Sequence, residues 1–102
     1  MNNLSETEFQ LLAMLGSREK SGRDIAADFM KETGREISYG TLYTTLRRLR
    51  EAGFVEMREG QDNDGRIRYF TLLASGRRTL ADQRRIYSAL AAFGRSTGSA
   101  LP

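Results

Sequence analysis

Apolar residues recur at helical spacing in three short stretches, give way to alternation, and return to helical spacing over a longer final run. The first set is Phe9, Leu11, Leu12, Met14 and Leu15. Leu4-Ser5-Glu6-Thr7-Glu8-Phe9 predicts its start: the Ser5 hydroxyl can cap the amide three residues on, Glu8 can reach back, and Leu4 and Phe9 hold the staple positions. Gly16 supplies a stop. Ser21 opens the second set, with Asp24 complementing the helix dipole and Ile25, Ala26, Phe29 and Met30 forming an inner face. Gly34 closes it. Ile37 anchors a short connection, and Ser38 caps a third helix over residues 38–52 that ends at Gly53.

On a helical wheel, Leu42, Leu46 and Leu49 fall within about 60° of one another and face the core. Gly40, Thr44, Arg47 and Glu51 lie opposite, flanked by Tyr39, Thr41 and Tyr43. The period then changes. Residues 54–59 and 66–72 alternate as strands, with Ile67, Tyr69 and Thr71 on one side and Arg66 and Arg68 on the other. Between them Gly60-Gln61-Asp62-Asn63-Asp64-Gly65 is dense in turn formers, so the segment 54–72 predicts a hairpin with a polar, flexible tip. A last helix is expected over residues 74–93, with Leu80, Gln83, Ile86, Tyr87, Leu90 and Phe93 at steps of three and four. At 1.5 Å per residue it is roughly 30 Å long, more than the preceding elements need to cover, which leaves apolar surface for a partner. Residues 94–102 are small, polar and glycine-rich, and a disordered tail is expected there.

The 102-residue length allows one domain, which buries about two thirds of its unfolded surface. No apolar run exceeds five residues, so neither a membrane span nor a secretory core is expected, and a soluble cytoplasmic protein is. Cysteine and histidine are both absent, which removes disulfides, thiol chemistry, the usual zinc and copper sites and the common nucleophilic triads. With no phosphate-cradling glycine loop and no EF-hand pattern either, an enzyme is disfavoured and no metal or cofactor is expected. Net charge is +3 but unevenly placed: residues 1–36 carry five basic and seven acidic side chains, residues 37–80 eight and five, and residues 81–102 three and one. The positive charge begins with the third helix, which points to a polyanionic partner.

The order helix, helix, helix, hairpin, long helix predicts a mainly α fold with a small β-hairpin: a winged helix-turn-helix domain at residues 1–73 with an added C-terminal helix. In such a domain the third helix enters the major groove of double-stranded DNA and the wing reaches the neighbouring backbone or minor groove. A glycine there permits close approach, hydroxyls donate to phosphates, and Tyr and Arg add reach. The different reading is a winged helix used for protein contacts without DNA binding, for which the third helix need be neither basic nor rich in hydroxyls.

Ser38-Tyr39-Gly40-Thr41-Leu42-Tyr43, then Leu46-Arg47-Arg48-Leu49 and Gly53-Phe54-Val55, resemble the recognition helix of the PadR family of transcriptional regulators. Gly65-Arg66, Arg68-Tyr69-Phe70, Leu72, Gly76 and Leu80 continue the resemblance, which spans about residues 5 to 90. Two positions depart from the family's pattern: Arg23 stands where an aromatic is common, and Leu73 where a threonine usually caps the last helix, a loss of about 1 kcal/mol. The resemblance implies a homodimeric repressor whose C-terminal helices pack across a two-fold axis. Its recognition helices would then address half-sites of an inverted repeat roughly 34 Å apart. It also allows a small aromatic effector as partner; with no tryptophan present, Phe9, Tyr87 and Phe93 are read as interface packing and no ligand is named.

The residues expected at DNA are therefore Arg23, Ser38, Tyr39, Gly40, Thr41, Tyr43, Thr44, Arg47, Arg66 and Arg68. Thr45 and Leu46 are read as structural. Asp62 and Asp64 at the wing tip argue against deep insertion beside phosphates. The dimer interface is expected at Phe9, Leu80, Gln83, Ile86, Tyr87, Leu90 and Phe93.

Overall fold

Three serines start the first three helices of the computed structural model, which describes residues 4–100, with side chains as far as Gly94. Ser5 caps α1 (Glu6–Leu15) in a complete capping box: its Oγ accepts from Glu8 N at 3.1 Å and its own N–H donates to Glu8 Oε1 at 2.8 Å. Ser21 caps α2 (Gly22–Thr33) by accepting from Asp24 N, and Ser38 caps α3 (Tyr39–Glu51) by accepting from Thr41 N, both at 3.1 Å. Each satisfies an amide that a helix start leaves without a partner. At the far end of α3 the Phe54 N–H donates to Leu49 O at 2.9 Å and the Gly53 N–H to Arg50 O at 3.0 Å, a Schellman closure that Gly53 permits by taking φ 81°.

Leu11, Leu12, Leu15, Ile25, Leu42, Leu46 and Leu49 are fully buried and form one core with Phe29, Val55, Phe70, Leu72 and Leu80. Met30 departs from expectation and lies 47% exposed. It sits about 100° round the helix from Phe29, and Ile25 and Phe29 already fill the inner face.

β2 (Val55–Asp62) and β3 (Gly65–Leu72) pair antiparallel from Val55↔Leu72 to Asp62↔Gly65. The tip is therefore shorter than the sequence predicts. Gly60 and Gln61 still pair, with Ile67 and Arg66, so only Asn63 and Asp64 remain between the strands. Asp62 Oδ1 accepts from Asp64 N at 2.8 Å, which rigidifies that turn. A further strand, β1 (Lys20–Ser21), joins β3 through Lys20↔Phe70 and Ser21↔Tyr69, giving the order β1-β3-β2. Two residues are too few for an alternating pattern to register in the sequence.

α4 spans Ala74–Ala100, whereas the sequence reading ends the helix at residue 93 and expects a tail beyond it. The backbone remains helical through Gly94. Glycine costs a helix interior only about 1 kcal/mol, and the preceding Ala89-Leu90-Ala91-Ala92 are good helix formers. Leu101 and Pro102 fall outside the described residues. The start of α4 is fixed on the end of α3: Ser75 Oγ donates to Gly53 O at 2.5 Å and Leu73 N to Phe54 O at 2.9 Å. A Cβ on the buried Gly76 would stand 2.3 Å from Phe54 O and 2.7 Å from Leu72 Cδ1, so only glycine lets the helix seat this closely.

Candidate nucleic-acid interface

With Leu42, Leu46 and Leu49 turned inward, α3 shows Tyr39, Gly40, Tyr43, Thr44, Arg47 and Arg50 along its outer side. The wing rises beside this stripe. Paired residues of an antiparallel ladder share a face, so Met57 and Phe70, then Glu59 and Arg68, then Gln61 and Arg66 stand on one side of the hairpin. Phe70 is buried and Met57 half-buried, which sets the wing on the domain, while Arg68 and Arg66 continue the row into solvent. The outer side of α3 and this row enclose an open cleft of about 580 Å³ carrying Arg47, Arg50 and Arg68 against one carboxylate, Glu59.

A second cleft of about 700 Å³ adjoins it along the open edge of β3, where Arg23 at the start of α2 meets Arg66, Arg68, Tyr39 and Tyr43. Tyr43 links the two clefts. Its ring lies 6.2 Å from Tyr39 and 6.2 Å from Phe70, and the Arg68 guanidinium stands 5.5 Å from its centroid. A Cβ on Gly22 would come within 2.3 Å of the Tyr43 hydroxyl, so the absence of a side chain at residue 22 allows the ring its place. Gly40 differs. A Cβ there would meet nothing closer than Ser38 Oγ at 4.0 Å, and its φ is not positive. No packing or backbone requirement within the chain calls for glycine at that position.

Eight of the ten residues expected at DNA are brought together by these two clefts: Tyr39, Gly40, Tyr43, Thr44, Arg47 and Arg68 in the first, Arg23 and Arg66 in the second. Ser38 and Thr41 lie elsewhere. Ser38 Oγ is taken up by the cap and donates to Thr41 Oγ1 at 3.1 Å, and both residues line a shallow depression with Thr7, Phe29 and Arg35. Thr45 is structural, as expected, buried with its hydroxyl donating to Thr41 O at 2.7 Å. Arg50, which the sequence leaves ambiguous because an exposed arginine is usually only solvated, and Glu59 are not among the ten. Arg50 could have been found from the spacing Tyr39, Tyr43, Arg47, Arg50, which runs along one stripe; Glu59 depends on a strand register that the sequence does not specify.

The opposite face of the wing is tied to the domain. Arg58 donates from Nε to Glu19 Oε2 at 2.9 Å and from Nη2 to Glu19 Oε1 at 2.7 Å, and its guanidinium lies 4.5 Å from the Tyr69 centroid. The hydrogen bonds from Arg58 hold the Glu19 carboxyl below its ordinary value and push Arg58 up.

On α4, Ile86, Tyr87, Leu90 and Phe93 are exposed, Phe93 by 71%. Leu80 and Gln83 are not: Leu80 belongs to the core, and buried Gln83 donates to the Tyr87 hydroxyl at 3.3 Å. Both are consumed by packing within one chain, which takes them off the surface where the sequence places them. Phe9 likewise packs edge-on against Tyr87, with centroids 4.9 Å apart. Among the described residues no group of acidic side chains is placed to hold a metal ion, and no helix is long and apolar enough to cross a membrane.

Comparison with solved structures finds the same architecture. A PadR family transcription regulator from Clostridium difficile R20291 superposes with a TM-score of 0.78 at 18% identity, over 91% of this chain and 98% of that one. A PadR family transcriptional regulator from Eggerthella lenta DSM 2243 gives 0.78 at 18%, over 93% and 83%. Bacillus subtilis PadR, solved in complex with operator DNA, gives 0.72 at 24%, over 90% of this chain and 61% of that one. At these identities the likeness concerns the fold. No curated protein matches the sequence. The sequence itself matches the transcriptional regulator PadR-like family over residues 11–82, from the first fully buried leucines through the wing to the seated start of α4, and the chain belongs to that family.

Proposed function

We propose that this regulator is a sequence-specific DNA-binding repressor that acts as a homodimer on an inverted-repeat operator, in the cytoplasm. The observation that carries the reading is the cleft itself. Its floor is a helix whose outer side offers a glycine, hydroxyls and arginines, and its wall is a wing that adds Arg68. Such a surface can lay α3 in the major groove, with Thr44 and Arg47 toward base edges and the wing arginines toward the backbone. Asp62 and Asp64 keep the wing tip from deep insertion between phosphates. That Bacillus subtilis PadR was solved with operator DNA lends support from a neighbour of the same fold.

The dimer rests on Ile86, Tyr87, Leu90 and Phe93, an apolar row along α4 that one chain leaves uncovered. Pairing α4 with its copy around a two-fold axis buries that row and presents two α3 helices, with half-site centres roughly 34 Å apart. Sequencing the duplexes that the purified protein retains from a random pool tests this. An inverted repeat with half-sites one helical turn apart is the expected result; retention without any shared sequence would remove the specific-regulator reading.

A further inference from the structure

Beyond the pair Ser21↔Tyr69, β1 no longer supports β3, and the rest of the wing is a two-stranded ribbon. Such a ribbon is at best marginally ordered by itself. On its inner face, beyond Phe70, the row toward the cleft is Arg68 and Arg66 with Glu59 and Gln61, all exposed, and no core lies beneath them. What meets the ribbon at the point where the sheet support ends is on the outer face. There Arg58, opposite Tyr69 in register, stands over the Tyr69 ring and grips both oxygens of Glu19 in the loop before β1. Gly60 completes the arrangement: a Cβ would stand 2.8 Å from the Tyr69 ring and 3.2 Å from Arg58 Nη1.

We infer that Glu19 and Arg58 are positioning residues for DNA recognition: a clamp, on the face of the wing turned away from the first cleft, that fixes where Arg66 and Arg68 stand relative to α3. The inference rests on the DNA-binding reading and adds a pair of residues that line neither cleft. An exposed ion pair contributes little to global stability. Its effect is local. A bidentate guanidinium–carboxylate contact has a defined plane and direction, and the Tyr69 ring, 4.5 Å from the guanidinium, backs it on β3. Arg58 therefore connects the α1–β1 loop to the ribbon through a contact that resists tilting as well as separation. On the inner face the Arg68–Tyr43 contact opposes it, so the ribbon is held from both sides at one level.

The test uses Glu19→Lys, Glu19→Lys with Arg58→Glu, and the same Glu19→Lys in an Arg66→Ala/Arg68→Ala background. Hydrogen exchange in the unbound protein and affinity for a selected duplex are both read. Glu19→Lys adds positive charge, which by itself would tighten binding to a polyanion. A positioning role predicts the reverse: affinity falls about three- to tenfold, as for other coupled contacts. Exchange should quicken in residues 58–68 while α1 to α3 are unchanged, and the double charge reversal should recover part of both effects. In the wing-arginine background the same substitution should change affinity less than about twofold. Unchanged exchange in the wing would overturn the clamp, and an equal loss of affinity in both backgrounds would show that Glu19 and Arg58 do not act through the wing arginines. If the parent protein binds no duplex at all, the DNA-binding reading fails, and the exchange arm still decides whether the pair holds the ribbon.

Discussion

The Arg68 guanidinium of the wing lies 5.5 Å from the ring centroid of Tyr43 on α3, so the two elements that line the cleft touch each other across it. This contact couples the wing's position to that of the helix, and it leaves the guanidinium exposed toward any polyanion in the cleft. Arg68→Ala should weaken binding to all duplexes alike and reduce the slope of log affinity against log salt by about 1, as for one lost phosphate contact. A loss confined to one base position, with the slope unchanged, would instead assign Arg68 to base reading.

Gly40 separates folding from binding. Since a Cβ there meets open space, Gly40→Ala should raise stability by about 0.5 to 1 kcal/mol through the unfolded chain's lost freedom. The same methyl group occupies the side of α3 proposed to approach DNA, so affinity should fall. Urea denaturation and duplex titration on one preparation check both directions. A variant that gains stability and binds as well as the parent would show that DNA does not approach residue 40.

Gly76 and Gly94 are glycines of one helix with opposite expectations. Gly76→Ala drives a methyl group into Phe54 O and Leu72, and should cost about 1 to 3 kcal/mol in denaturant unfolding. Gly94→Ala has nothing within 4 Å and should be neutral or stabilising by up to about 1 kcal/mol. Equal effects at the two positions would mean that α4 does not seat on the end of α3 as described.

The apolar row on α4 gives the assembly prediction. Leu90→Glu places a carboxylate at a position 61% exposed in the single chain, so the fold should survive. If that row is the two-fold interface, sedimentation should show monomers at concentrations where the parent is a dimer. A persistent dimer would move the interface elsewhere.

Much of this could be read from the chain because its signals are local. Ser5, Ser21 and Ser38 cap helices through contacts three residues away, and the leucines of α3 reveal its inner face by spacing alone. The wing was legible as a hairpin, but its tip was overestimated: Gly60 and Gln61 look like turn residues and stay paired because Arg66 and Ile67 lie opposite them. β1 escaped notice because two residues carry no period. Glu19–Arg58 and Gly76 against Phe54 O join residues 39 and 22 positions apart, and no repeating pattern brings such pairs together in a sequence. Leu80 and Gln83 were assigned to a partner's surface because helical spacing marks an apolar side without saying which part of it the chain covers itself. The residues proposed to face DNA could be picked out because they lie on the side that the leucines leave over.

Duplex from upstream of the protein's own gene, titrated at several salt concentrations with the parent and Arg47→Ala proteins, separates a sequence-specific regulator from a winged helix that does not read DNA. The expected result is a specific complex whose log affinity falls steeply with log salt, by about 0.9 for each phosphate neutralised, and which Arg47→Ala weakens by about 1 to 3 kcal/mol. No specific complex on any such fragment, with at most a shallow salt dependence, would contradict it.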